Sequence, residues 1–419
     1  MIIICIIMAY FRMITTDLPA QIDIAVIGAG PHALTLVTHL LQKRPQLRQR
    51  LLVFDPSGNW MQQWHQQFAA LEIPHLRSPA VHHPDPNPHA LRHFAQSRAA
   101  ELFEPYDLPG TSLFHDFCQD VIHRWSLPAQ VVCTKVIDIE PTTHLTRPRF
   151  RLWLQNGYAI AKRVILATGG GKPQLPDWVK QLSSYPQDKL CHSYNVDLRT
   201  LHLHGEKILI VGGGLTSGHL AIGAIARGAK VILMSRRCLQ EKLFDADPGW
   251  LGPKYLKSFW EQPNWETRAD MIQKARNGGS MTPAMMMQLR RAQRHGHLTL
   301  YEQCSITAAA WQNDVWKIDC DRDPSCFDAD RIWLATGTKI DVATEPLLTQ
   351  IINTHPVPTV KGLPVLDSHL RWQGCELFIT GGLAALQIGP VARNLSGARM
   401  ASERIVPALW KPSLALSHR

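Results

Sequence analysis

AVIGAGPHA, Ala25–Ala33, is answered far downstream by VILATGG, Val164–Gly170. The chain then repeats the pair as ILIVGGGLTS, Ile208–Ser217, and WLATGT, Trp333–Thr338. One glycine-rich turn between a strand and a helix would carry little weight. Two in order, each with its own Ala-Thr-Gly strand, mark a duplicated dinucleotide-binding unit. The first copy opens with the buried run Ile22–Ile27, which predicts a strand, and Pro31–Leu41 then reads as a helix with apolar residues at helical spacing. In the turn between them Gly28 permits the bend, Gly30 lets a pyrophosphate approach the backbone, and the small Ala33 lets the helix seat on the strand. Asp55 ends the next run, Leu51–Phe54, at the spacing expected of the acid that binds a ribose hydroxyl.

In the second copy Lys207–Val211 predicts a strand and Thr216–Ala226 a helix, with Gly212, Gly214 and Ser217 at the fingerprint positions. The following strand, Lys230–Met234, ends in Ser235, Arg236 and Arg237 where the first copy has its Asp. A carboxylate there would repel a 2′-phosphate, whereas guanidinium groups pair with it bidentately. The two sites therefore read as a flavin site and a nicotinamide site facing each other, with NADPH favoured over NADH. Each half also carries a small antiparallel meander. VVCTKVIDIEP, RFRLWLQ and YAIAKRVILATGG form the first, around an Asn156-Gly157 turn; LTLYEQCSITAAAW, DVWKIDC and DADRIWLATGT form the second.

Composition narrows the function classes. The chain has 419 residues, 45% of them hydrophobic and 19% charged, which suits a folded protein of two or three domains. Its net charge of +10 is scattered, without a basic run or an aromatic-and-basic groove, so nucleic acid is not the expected partner and anionic ligands are. None of the nine cysteines falls at the spacing of a redox dithiol or zinc knuckle, and free thiols suit a reducing cytoplasm. His202 with His204, and His295 with His297, lack companions to complete a metal shell, so no metal is expected. The apolar start MIIICIIMAYF is too short to span a bilayer and lacks a signal peptide's features; translation from Met13 is the expectation, with a short interfacial anchor as its rival.

Taken together, GAGPHA, FDPSGNW (Phe54–Trp60), CTKVIDIEP, both Ala-Thr-Gly strands, GGGLTSG and SRR resemble the flavin-dependent monooxygenases with two dinucleotide domains. These comprise flavin-containing monooxygenases, Baeyer-Villiger enzymes and the lysine and ornithine N-hydroxylases. The resemblance covers about Asp23 to Ile405. It implies an α/β fold of two Rossmann-like domains, each with an inserted antiparallel β-meander, the NADPH domain being inserted into the FAD domain. The expected division is a tail at 1–20, a first FAD-binding part at 21–200, an NADPH-binding domain at 201–340 whose segment 239–297 covers the substrate cavity, and a returning FAD-binding part at 341–410. Within 239–297, Met285–Met287 are expected as helix core. Further cofactor-binding positions implied by the matched motifs are Trp60, Val136, Thr168, Gly169, Thr336, Gly337, Gly381 and Gly389.

The N-hydroxylases place a Lys within a Leu-Lys-Asp stretch where this chain has Leu76, Arg77 and Ser78, followed by Asp85-Pro86. The resemblance thus implies that Arg77 faces the substrate and grips an acidic or hydroxylated group, with His75, His82 and His83 shaping the site. Of the linker signature only His192-Ser193 remains, which weakens a Baeyer-Villiger assignment. The expected activity is an FAD-dependent, NADPH-using monooxygenation of a nucleophilic nitrogen or sulfur of a small molecule, oxygen being delivered through a peroxyflavin. Two alternatives stay open: a flavin-bound redox sensor without turnover, and an NADPH oxidase or electron-transfer reductase. The expected partners are the small-molecule substrate and oxygen, with a homo-oligomer compatible with the sequence.

Overall fold

The structure, a computed structural model, describes residues 18–19, 21–144, 147–169, 171–276, 278–322 and 327–410. The expectations for residues 1–12 and for Gly170 lie outside them. Among the described residues no helix is long and apolar enough to cross a membrane, and no group of three His, Cys, Asp or Glu side chains could hold a metal ion.

The first unit starts with β1 (Ile22–Ile27), α1 (Pro31–Lys43) and β2 (Leu51–Asp55). Nearly every residue of β1 is buried, as a central parallel strand covered on both faces requires. Further on come β3 (Val131–Cys133), β4 (Val136–His144), β5 (Arg147–Leu154) and β6 (Gly157–Leu166). They form one seven-stranded sheet in the order β3-β2-β1-β6-β5-β4, completed by a late strand beside β6. The hairpin between β5 and β6 pairs Leu154 with Gly157, whose φ of +102° opens the return strand. The ten-residue β6 belongs to both parts: its first half pairs antiparallel with β5, and its second half runs parallel to β1.

The second unit contains β7 (Leu190–His192), β8 (Lys207–Val211), α2 (Leu215–Ala226) and β9 (Lys230–Ser235). After them come α3 (Pro253–Glu261), α4 (Trp265–Arg276), α5 (Pro283–Arg294) and β10 (Leu298–Glu302). Then follow β11 (Ile306–Gln312), β12 (Val315–Cys320), β13 (Phe327–Ala329) and β14 (Arg331–Leu334). Strands β7, β14, β8, β9 and β10 form an all-parallel sheet in that order, and β11 to β13 an antiparallel sheet of their own. Here the copy departs from the first unit. The strand that would be shared breaks at Asp330, whose carboxylate takes the Lys207 N–H at 2.6 Å and whose own N–H goes to the Lys207 carbonyl at 2.7 Å. The ladder therefore turns a corner and the second meander detaches.

After the second sheet is complete, β15 (Leu377–Ile379) joins the first sheet parallel to β6, and α6 (Leu395–Trp410) lies on α1. The chain thus leaves the first sheet and returns to it, and the two connections, Lys172–Pro173 and Thr338–Lys339, pair with each other antiparallel.

Segment 239–297 does not bury its apolar side chains in one place. Ala246, Trp250, Leu256, Phe259, Ala269 and Ile272 belong to the core of the first unit, beside Leu386 and Val391. Met281, Met285, Met286 and Leu289 belong instead to the core of the second, beside Ile208 and Leu220. Met287, expected in the helix core with its neighbours, is 66% exposed, because on α5 it falls on the face opposite the buried Met285 and Leu289.

Candidate functional site: two dinucleotide turns on one cavity

The two glycine turns are built alike. The Gly28 N–H donates to the Phe54 carbonyl at 2.8 Å, and the Gly212 N–H to the Met234 carbonyl at 2.9 Å, tying each turn to the neighbouring strand. Gly28 has φ +98°, and a Cβ there would lie 2.6 Å from the Ala167 carbonyl oxygen. Gly212 has φ +154°, and a Cβ on it would collide with the Ala335 carbonyl in the same way. Each Ala-Thr-Gly strand is therefore the wall against which its fingerprint glycine closes. Gly30 and Gly214 cap α1 and α2, and no side chain caps either helix, which leaves first-turn N–H groups for an anion. A Cβ on Gly30 would meet nothing within 4 Å, so open space lies where a pyrophosphate would approach.

Both turns open onto one cavity of about 1610 Å³. A pocket for one small molecule is typically about 300–1,000 Å³, so the volume suits more than one ligand. From the first unit the lining includes Gly28, Gly30, Thr168, Gly169 and Gly381. The second contributes Gly212, Gly214, Arg236, Arg237, Thr336 and Gly337. These expected positions are thus brought together.

Others stand apart from the cavity. Ala33 and Ser217 are fully buried within their helices, under the turns. At the end of β2 the Asp55 carboxylate accepts from the Ala29 N–H at 3.0 Å and from Ser57, so it braces the turn from beneath. Trp60 is core: its indole N–H donates to the Leu127 carbonyl at 3.0 Å. Val136 is likewise a buried β4 residue. Gly389, with φ +97°, has Leu256 and Phe259 as its nearest neighbours and faces α3.

Of Arg77, His75, His82 and His83, only Arg77 and His82 reach the cavity. The Arg77 side chain reaches the cavity wall, but its guanidinium is occupied. Nε donates to the Leu243 carbonyl at 2.8 Å, Nη1 to the Ser280 carbonyl at 3.3 Å, and Nη2 to the Lys242 carbonyl at 2.5 Å and the Ser280 hydroxyl at 2.8 Å. It grips segment 239–297 rather than presenting a free fork to a substrate. His75 is half-buried against Phe103 and off the cavity. His83 is buried, accepting the Asp85 N–H at its Nδ1, whereas His82 lines the cavity and pairs with Ser78 at 2.9 Å. In the linker, His192 Nε2 donates to the Gly337 carbonyl at 3.1 Å while Nδ1 accepts the Tyr194 N–H, which fixes its tautomer.

Several cavity groups carry no signal in the sequence. His32 lies inside the quoted fingerprint, with Nδ1 on the Thr380 hydroxyl at 2.9 Å; its Nε2 is buried, and the Arg393 backbone lies within reach of the ring. Burial pushes its imidazole down to about 4, so the ring is neutral near pH 7. Arg393, from the loop before α6, donates to the Thr338 hydroxyl at 3.1 Å; burial, and then the nearby Arg276, lower its pKa. Asp245 pairs with Arg276, which also donates to the Pro390 carbonyl at 2.8 Å, on the same side as Arg393. Tyr106 and Phe244, from the two sides of the cavity, meet with ring centroids 5.4 Å apart.

Two uncapped helix starts and glycines facing open space together fit dinucleotides at both turns. Comparison with known proteins agrees. A family described as FAD-NAD(P)-binding matches residues 25–171, and the L-lysine 6-monooxygenase/L-ornithine 5-monooxygenase family matches residues 109–339. A search of curated proteins gave no match. Among solved structures, the chain is similar to the ornithine hydroxylase PvdA of Pseudomonas aeruginosa, with a TM-score of 0.75 at 16% identity over 93% of this chain and 99% of that one. The ornithine N-hydroxylase KtzI of Kutzneria sp. 744 gives 0.76 at 16% identity over 94% and 100%. The cadaverine monooxygenase DfoA of Erwinia amylovora gives 0.73 at 15% identity over 94% and 95%. Two nucleotide turns on one cavity, and a family match over more than half the chain, lead to one assignment: it belongs to the L-lysine 6-monooxygenase/L-ornithine 5-monooxygenase family and is an oxidoreductase that uses FAD and a nicotinamide dinucleotide.

Proposed function

We propose that the protein hydroxylates the amine nitrogen of a small molecule, consuming NADPH and dioxygen and releasing NADP⁺, water and the hydroxylamine. The observation that carries this reading is the single cavity onto which both dinucleotide turns open. FAD, when bound, supplies the electron-transfer and oxygen chemistry that side chains lack. Gly28, Gly30 and the start of α1 would hold its pyrophosphate, while Asp55 steadies the turn from beneath through the Ala29 N–H. Thr168, Gly169 and Gly381 would flank it. Gly212, Gly214 and the start of α2 would hold the nicotinamide dinucleotide, with Arg236 and Arg237 on its 2′-phosphate. Neutral His32 offers a hydrogen-bonding nitrogen without placing a second cation beside Arg393. Pro248, Leu251, Phe244 and Tyr106 give the cavity an apolar stretch of wall.

The relatives act on L-ornithine and cadaverine, and a small primary amine is the substrate class proposed here. The test is purification with FAD followed by NADPH-dependent oxygen uptake over a panel of amines, amino acids and thioethers, with hydroxylamine scored directly. Hydroxylamine formed in proportion to NADPH is the expected result. NADPH consumed with peroxide alone would make the protein an oxidase, and protein that takes up flavin but consumes no NADPH would make it a sensor.

A further inference from the structure

Segment 239–297 passes from the second unit to the first and back, and its two crossings run side by side. The Lys242 N–H donates to the Met281 carbonyl at 2.9 Å and the Met281 N–H to the Gln240 carbonyl at 2.8 Å, with Glu241 and Met281 bridged in parallel. The returning crossing touches the second nucleotide turn at successive residues. Gly278 lies directly under the Arg237 guanidinium, and Gly279 is against the backbone of Gly214, which caps α2. Met281 then packs on Gly218, one turn into that helix. At the remaining position, Ser280, the grip comes from the other unit, through Arg77.

Arg77 stands between Leu76 and Ser78, which line the cavity on the first unit's side. Its planar fork binds both crossings at once, Lys242 and Leu243 on the outgoing one and Ser280 on the returning one. Its partners are 165 to 203 residues away in sequence. A lysine, as a point charge with three mobile donors, cannot reproduce this arrangement. Gly278 and Gly279 both have positive φ, +72° and +93°, so the backbone path held by the clamp is one that side-chain-bearing residues rarely follow.

We infer that Arg77 is a positioning residue for hydride transfer: it fixes the Gly278–Ser280 crossing, and through it the second nucleotide turn, relative to the flavin site. This rests on the proposed function of the same cavity. It assigns Arg77 to the registration of donor and acceptor and not to the substrate. An Å-scale misplacement of reacting groups can cost about a hundredfold in rate, so one clamp at the crossing has leverage on the chemistry without touching either reactant.

The test uses Arg77→Ala and Arg77→Lys in the full-length protein. Hydrogen exchange is first measured on protein free of both cofactors. Peptides covering 240–243 and 278–282 are expected to exchange at least about tenfold faster in Arg77→Ala, with those of β1 and β8 unchanged. FAD-loaded protein is then mixed anaerobically with saturating NADPH. The flavin-reduction rate should fall by about tenfold or more, with affinities for FAD and NADP⁺ held within about threefold, and Arg77→Lys should lie between Arg77→Ala and the parent. Wild-type exchange together with a wild-type reduction rate overturns the inference, as does an unchanged reduction rate with a raised amine KM, which would return Arg77 to the substrate. If Arg77→Ala does not load FAD, Arg77→Lys is judged by the same two readouts. Failure of the parent to bind FAD would sink the proposed function, while the exchange experiment would still decide the clamp.

Discussion

Arg236 and Arg237 are the residues proposed to carry the choice of nicotinamide. Both line the cavity after β9, where the first unit has Asp55, and a 2′-phosphate is the one group that distinguishes the two coenzymes there. Replacing both with Ala should raise the KM for NADPH by about tenfold or more and that for NADH by less than about threefold; equal effects in steady-state kinetics would remove their role. Gly28 makes a sharper structural claim. With φ +98° and the Ala167 carbonyl 2.6 Å from any Cβ, Gly28→Ala should cost about 2–4 kcal/mol. It should also strip flavin from the purified protein, read by the visible spectrum and a denaturant midpoint. A yellow, fully stable Gly28→Ala protein would show that the turn tolerates what its geometry forbids. These turns were legible in the sequence because their geometry is local: strand, glycine, helix start and acid lie within one stretch of chain. Arg77 was legible as a position but its hydrogen-bond partners were not, since its acceptors lie on a segment far away in sequence. His32 stood within the motif itself, but nothing local shows that its Nε2 is sealed from solvent.

Helices α3 and α4 show the same limit at the level of elements. Helix formation over α3 and α4 follows from local spacing, but which core they join does not, because their partners are residues 384–391, more than a hundred positions on. The decisive side chain is Arg268 on α4, 7% exposed. It donates to the Gln262 carbonyl at 2.7 Å, the Trp260 carbonyl at 2.6 Å and the Leu386 carbonyl at 3.3 Å, with its guanidinium over Trp265. It thus ties α3 and α4 to each other and to the segment before α6. Removing it leaves acceptors without a donor at about 1–3 kcal/mol each where water cannot reach them. Arg268→Ala is therefore expected to lower stability by about 3–5 kcal/mol and to open 253–276 to limited proteolysis. A wild-type denaturant midpoint with an unchanged digestion pattern would mean that the helices are held by apolar packing alone. The break at Asp330 was equally hidden: DADRIWLATGT reads as one strand, and only the backbone of Lys207 shows why it splits.

Across the whole molecule, burial has been imposed on histidines in both units, and this sets its acid response. His32, His65, His83 and His219 are each pushed to about 4, and in every case burial is the largest cause. His65 is lowered further by His115, whose ring centroid is 4.0 Å away, and His219 by His75. In the unfolded chain such groups titrate near 6.5. Between about pH 6.5 and 4 the unfolded state therefore binds protons that the folded state refuses, so stability falls as pH falls through that window and levels off for these groups below it. Glu345 acts in the opposite sense, because burial raises its carboxyl and its contribution weakens as pH rises, but it is one group against four. Carboxylates held low by arginines, such as Glu72 beside Arg227 and Glu101 beside Arg98, lose their contribution only at lower pH, below their unfolded values. The cofactor-free protein should thus show a Tm that is flat above about pH 7 and drops by at least about 5 °C between pH 6.5 and 4.5. A Tm that rises on acidification through that interval would mean that the imidazoles are charged in the folded state. The neutral His32 assigned to the flavin side of the cavity would then be wrong as well.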